Sequence, residues 1–252
     1  MQNDAQNKFI LTPIEDILKD AVNACKGIGQ GIETQSLGEY VLQTTFLKMT
    51  GAQEQKLKSI CWEMATNDYA YRYQYLKKNY GECSSYADKN SIYKDLIEQV
   101  KKQNRTFDVE MLFEDVDKDP VVARRKMFMR VQKRIDRMIG RTLVAQWEEH
   151  NYLNYMDKWK GMAKWSYALG NKLFSKELQG FYWAVVFDHR NKCAHNLKSV
   201  QKNLPTLKTL EDENYVYDNY YFRFSVLMLI DEVFIRLYKR YLDEIEKRVE
   251  VL

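Results

Sequence analysis

The chain has 252 residues with 45% hydrophobic and 29% charged residues, enough apolar material for a real core. Only three prolines and ten glycines punctuate it, a composition that excludes a collagen-like or low-complexity chain and favours long helices over many short strands. A formal net charge of +4 and a pI near 8.6 are too mild to announce a nucleic-acid binder from whole-chain charge alone, so local patterning must decide.

In chain order, Thr12, Pro13 and Glu15 form a capping-box arrangement that predicts a first helix from about Thr12 to Cys25, ending near Gly27 to Gly31. From Leu37 to about Lys78 the sequence predicts either two packed helices divided at Gly51 or one long bent helix, with Leu57, Ile60, Cys61 and Met64 at helical spacing. Gly81 to Asn90 is turn-rich, and Ser91 is placed to cap a short helix after it. Asp119 followed by Pro120 predicts the start of a helix that runs to about Ile139, with Gly140 interrupting before a further helical, aromatic-rich stretch, Arg141 to Gly161. Ser175 is placed to cap the next helix, which carries the apolar run Gly180 to Phe187. Asn196 to Asn214 is polar, contains Pro205 and lacks periodicity, and loops this long inside a domain are often functional. The chain closes on a long helix in which Phe224, Leu227, Ile230, Phe234 and Leu237 share an apolar face.

These elements predict an all-α multi-helix bundle, read as one helical domain over residues 1–252 with an N-terminal helical extension and a possible subdivision near 81–119. Cys25, Cys61, Cys83 and Cys193 show no CxxC pair and no zinc-finger spacing, so reduced thiols are expected and no metal. The first twenty residues lack the pattern of a signal peptide, and no stretch approaches 18 consecutive apolar residues, so a cytoplasmic protein without a membrane span is expected.

The apolar run ends abruptly in Asp188, His189, Arg190, Asn191, Lys192, Cys193, Ala194 and His195, which holds two of the three histidines in the chain. An imidazole, with an ordinary pKa near 6.5, can act as base or acid near neutral pH, and a guanidinium is a permanent planar fork for phosphate oxygens. RNA is cleaved without metal when a base helps the 2′-hydroxyl attack phosphorus and an acid protonates the leaving 5′-oxygen. His195 suits the acid–base task, Arg190 the charge on the transition state, and Asn191 the positioning of phosphate or imidazole. Asp188 and His189 are candidate supporting residues, although Asp188 also has Lys192 at (i, i+4) spacing and a histidine such as His189 is more often a structural hydrogen-bonder than a second acid. The plain alternative is an Arg190 paired with Asp188 or with the acidic residues 211–213, and a His195 at a helix end.

Arg190 and His195, an R-x4-H pair with a polar Asn191 after the arginine, resemble the signature of the HEPN superfamily, in a context of an apolar helix before and a long terminal helix after. The resemblance covers Ser175 to Leu252. It implies a HEPN-like helical fold and a metal-independent endoribonuclease without cofactor, placed in bacterial defence or a toxin system and leaving 2′,3′-cyclic phosphate ends. About 140° separates Arg190 from His195 on a straight helix, so the pair needs a helix break or a second copy. The resemblance implies the second, a homodimer with its motifs at the two-fold axis. It also implies, as the alternative, a non-catalytic HEPN-like module that binds RNA, a nucleotide or a protein. An antitoxin or regulatory protein is a possible partner, although the tyrosine that some family members carry two residues after the histidine is Leu197 here.

A second feature points to phosphate. Lys126, Arg130, Lys133, Arg134, Arg137 and Arg141 fall on one arc of the predicted 120–139 helix, beside an apolar arc of Phe128, Val131, Ile135, Met138 and Ile139. Such a stripe would hold an RNA backbone without reading sequence. Tyr152 and Tyr155 are placed to stack on bases, whereas Glu148, Glu149 and His150 point in different directions and make a poor metal site.

Overall fold

In the computed structural model the described residues are 2–29, 31–77, 83–195 and 219–250. The chain is an all-α bundle: α1 (Gln2–Leu11), α2 (Glu15–Ala24), α3 (Gln35–Asn67), α4 (Tyr69–Lys77), α5 (Tyr86–Gln103), α6 (Pro120–Ile139), α7 (Leu143–Trp147), α8 (Glu149–Met162), α9 (Lys176–Tyr182), α10 (Asp188–His195) and α11 (Tyr220–Glu250). A short antiparallel hairpin, β1 (Tyr167–Leu169) and β2 (Lys172–Phe174), interrupts the helices. The hairpin docks through the Tyr86 ring, which stacks on Phe174, and through Asn90, whose side-chain oxygen accepts from Leu173 N at 2.9 Å.

The long final helix is the centre of the bundle, packed on α3, α5, α6 and α8. Residues 221 to 231 are all buried, well beyond the single predicted face of Phe224, Leu227, Ile230, Phe234 and Leu237, because neighbours surround the helix on every side. Buried apolar residues from Ile10 to Tyr241 form one continuous cluster.

Several predicted boundaries moved, each for a physical reason. The first capping box does not form: α2 begins at Glu15, after a separate α1, and Thr12 Oγ1 donates back to Lys8 O at 2.7 Å. The helix start is instead satisfied from afar, since Ile14 N donates to Asp231 on α11 at 2.9 Å and Lys56 Nζ holds Thr12 O. Gly51 does not break α3, which runs unbroken over 33 residues. Ser85, not Ser91, caps α5, accepting from Asp88 N at 3.1 Å. Asp119 caps α6 as expected, its carboxylate accepting from Val121 N at 2.8 Å, and Pro120 takes the first helical position. Asn219 caps α11 through Tyr221 N at 3.1 Å. The 196–214 loop lies outside the described residues. Among the described residues no helix is long and apolar enough to cross a membrane.

Candidate functional site

The helix that delivers the motif changes its winding first. Between α9 and α10, residues Trp183–Phe187 form a π-helical turn, the kind of local bulge that often accompanies functional sites. The extra residue rotates everything after it. Val185 and Val186 face the core, while Trp183 is 56% exposed and its ring lies 4.5 Å from that of the half-buried Phe187. α10 then continues as regular helix from Asp188 to His195, so no break separates Arg190 from His195.

Arg190 turns toward α3. Its guanidinium lies 3.4 Å from the carboxylate of Glu54 and donates to the Asn191 side-chain oxygen at 3.4 Å. The arginine remains 26% exposed and Glu54 13%, so the pair closes one side of a small crevice with Gln53, Lys89 and Tyr182 while keeping contact with solvent. Lys89 is fully enclosed there; burial brings its ammonium down to about 8, against the opposing pull of Glu54, and its Nζ donates to Cys83 O at 2.7 Å. Among the described residues the ion-pair partner of Arg190 is therefore not Asp188 but a glutamate 136 positions earlier, and residues 211–213 lie outside the described residues.

The supporting residues separate from this centre. Asp188 forms a half-exposed ion pair with Lys192 at 2.7 Å, the (i, i+4) pairing that its spacing allows. His189 is turned inward, with Nε2 3.3 Å from both Tyr220 Oη and Cys193 Sγ and its ring 5.3 Å from that of Phe46. Burial, aided by Arg223 and Lys192, drives its pKa down to about 3. A neutral His189 inside the core is what that burial favours, the ring nitrogen sharing hydrogen bonds with Tyr220 and Cys193. The Cys193 thiol beside it is raised by burial, which removes nucleophilic character. The side chain of His195 and all of Leu197 lie outside the described residues.

The basic stripe falls in a different part of the bundle. Arg130, Lys133, Arg137 and Arg141 are exposed and have no ion-pair partner among the described residues. Lys126 is tied to Asp117 and Arg134 to Glu15 and Glu232, both at 3.1 Å. None of the residues lining the cavities along α6 comes from α10. The expected stacking tyrosines do not serve: Tyr155 is buried with its hydroxyl accepting from Ser225 Oγ at 2.7 Å, and Tyr152 is buried against Asp136. His150 is exposed beside Asn154, and among the described residues no group of His, Cys, Asp or Glu could hold a metal ion.

Sequence reasoning missed Glu54 because a carboxylate so distant in the chain is brought to Arg190 only by the packing of α3 on α10. Comparison with protein-family models, with curated proteins and with solved structures returned no match.

Proposed function

We propose that this chain is a metal-independent endoribonuclease of the HEPN type, with Arg190 and His195 combined across a homodimer. The continuity of α10 carries the reading: positions 190 and 195 of an unbroken helix are about 140° apart, which calls for a second copy of the motif. A two-fold partner supplies the missing half. The exposed Trp183 and its neighbour Phe187, beside the motif, are apolar surface that a second copy would cover.

In the proposed reaction the His195 imidazole takes the proton of the 2′-hydroxyl as the 2′-oxygen bonds to phosphorus. The P–O5′ bond then breaks, and the leaving oxygen gains a proton from the imidazolium or from water. The products are a 2′,3′-cyclic phosphate and a 5′-hydroxyl. Arg190 stabilises the charge on the five-coordinate phosphorus, held in place but not withdrawn from solvent by Glu54. Asn191 orients the guanidinium through the contact at 3.4 Å. The cations of α6 hold the RNA backbone away from the scissile bond. A bacterial defence or toxin role in the cytoplasm, with an antitoxin or regulatory partner, belongs to the same proposal.

A second reading, a non-catalytic HEPN-like module for RNA, nucleotide or protein, is favoured by the engagement of Arg190 with Glu54. Labelled RNA incubated with the purified chain in EDTA separates the two. Cleavage to cyclic-phosphate ends, reduced at least about 100-fold by Arg190→Ala or His195→Ala, supports the nuclease; salt-sensitive binding without cleavage in any variant supports the module.

A further inference from the structure

Positive charge beside α6 is not equally compensated everywhere. The cavity that holds Arg134 and Arg236 also holds Glu232, which pairs with both, so part of its charge is met within its own wall. A separate cavity of about 410 Å³, between the start of α6 and the end of α8, has no such partner. Arg124 and Arg125 line it from α6 and Lys160 and Lys164 from the end of α8, and no carboxylate lines it. Arg125, Lys160 and Lys164 are exposed and have no ion pair among the described residues. Four like charges around one concavity, without a counter-charge in its wall, favour an anion there.

The two walls are fixed to each other. Trp159 Nε1 donates to Phe128 O at 3.0 Å and its ring stacks on Phe128 at 4.2 Å, while Tyr167 Oη donates to Arg124 O at 2.9 Å. The turn after α8 is closed by Ala163 N donating to Lys160 O at 3.2 Å and by Trp165 N donating to Met162 O at 2.9 Å, which sets the backbone of Lys164 and of the half-buried Trp165. Arg124 is 9% exposed, 3.3 Å from Glu110 and over the Phe113 ring, and its Nε is buried without a hydrogen-bond partner. One cation is thus held in place and three exposed ones can adjust around a ligand. The volume falls within the range of roughly 300–1,000 Å³ usual for small-ligand sites.

We propose that this cavity binds a small ligand carrying two or more linked phosphates, held between Arg124 and Arg125 on one wall and Lys160 and Lys164 on the other. A guanidinium grips phosphate oxygens as a fork and an ammonium acts as a point charge. Cations divided between two walls suit a chain of phosphates that bridges them better than one phosphate alone. A free polyphosphate and the phosphate chain of a nucleotide share this chemistry, and the nucleotide would in addition place its base against Trp165. The site goes beyond the proposed nuclease and does not depend on it, since it shares no lining residue with the crevice at Arg190.

The test is isothermal titration calorimetry on the full chain in EDTA, with tripolyphosphate, ATP and orthophosphate as probes. Tripolyphosphate should bind once per chain and at least about tenfold tighter than orthophosphate. Lys160→Ala/Lys164→Ala should weaken it by about tenfold or more. Arg130→Ala/Lys133→Ala, which removes the same charge from elsewhere on α6, should change it by less than about twofold, because salt screens distant charges. Both double variants should keep native circular dichroism, since all four side chains are exposed. ATP bound more tightly than tripolyphosphate, with the gain lost in Trp165→Leu, assigns the site to a nucleotide; equal affinities assign it to a free polyphosphate. Absence of tripolyphosphate binding, orthophosphate bound as tightly, or equal weakening by the two double variants would overturn the proposal. So would an oligouridylate that binds the His195→Ala chain more tightly than tripolyphosphate does and loses about tenfold in the Lys160→Ala/Lys164→Ala background, which would make the cavity an RNA contact. Tripolyphosphate binding in a chain that cleaves no RNA would remove the nuclease and leave this site.

Discussion

Two neighbouring side chains on one turn of helix, His189 and Arg190, have opposite fates. The arginine keeps an exposed edge and a charged partner, whereas the histidine is desolvated among Phe46, Tyr220 and Cys193. With its folded pKa near 3 and an ordinary unfolded value near 6.5, His189 is protonated first in the unfolded chain. Its contribution to stability is therefore present above pH 6.5 and is lost as pH falls from 6.5 toward 3, with a slope of up to about 1.4 kcal/mol per pH unit. Urea unfolding across that range should show the slope reduced by that amount in His189→Gln; identical slopes for the two chains would place the imidazole in solvent. From the sequence, Arg190 and Asn191 stood out as a candidate site because polar residues ending an apolar run are conspicuous. The different environments of His189 and Arg190 did not, since they depend on which side of α10 faces α3 after the π-helical turn.

At the scale of elements, the sequence was most informative where local chemistry alone sets the backbone. Asp119 and Pro120 start α6, and Gly140 follows its end, because side chain and ring act on their own segment. Thr12, Pro13 and Glu15 offered an equally good local signal that lost to a tertiary one. Asp231 on α11 accepts from Ile14 N and pairs with Lys56 at 2.7 Å, both side chains 5% exposed, which fixes the α1–α2 junction between α3 and α11. The hairpin at Tyr167–Phe174 escaped notice because its strands are three residues each, too short for an alternating pattern, and its anchors, Tyr86 and Asn90, lie on α5. Removing one half of a buried ion pair strands the other charge, so Lys56→Met should cost about 3–5 kcal/mol in denaturant unfolding. Lys56→Met/Asp231→Leu should recover part of that loss. A loss below about 1 kcal/mol in the single variant would show that the pair does not fasten the junction.

For the whole molecule, the all-helical class was readable from scarce breakers and 3.6-residue periodicity, and the burial of residues 221–231 on every side explains why that part of α11 is so apolar. What sequence could not give is the relation between the cations of α6 and the R-x4-H helix, since the cavities beside them share no lining residue.

Mixing two inactive chains tests the proposed dimeric site most directly. Arg190→Ala and His195→Ala, each silent alone, should regain about a quarter of the wild-type cleavage rate after co-refolding in equal amounts, because half of the dimers are mixed and each has one of its two sites intact. No recovery, with mixed dimers shown to form by native mass spectrometry, would contradict a site built from the arginine of one subunit and the histidine of the other.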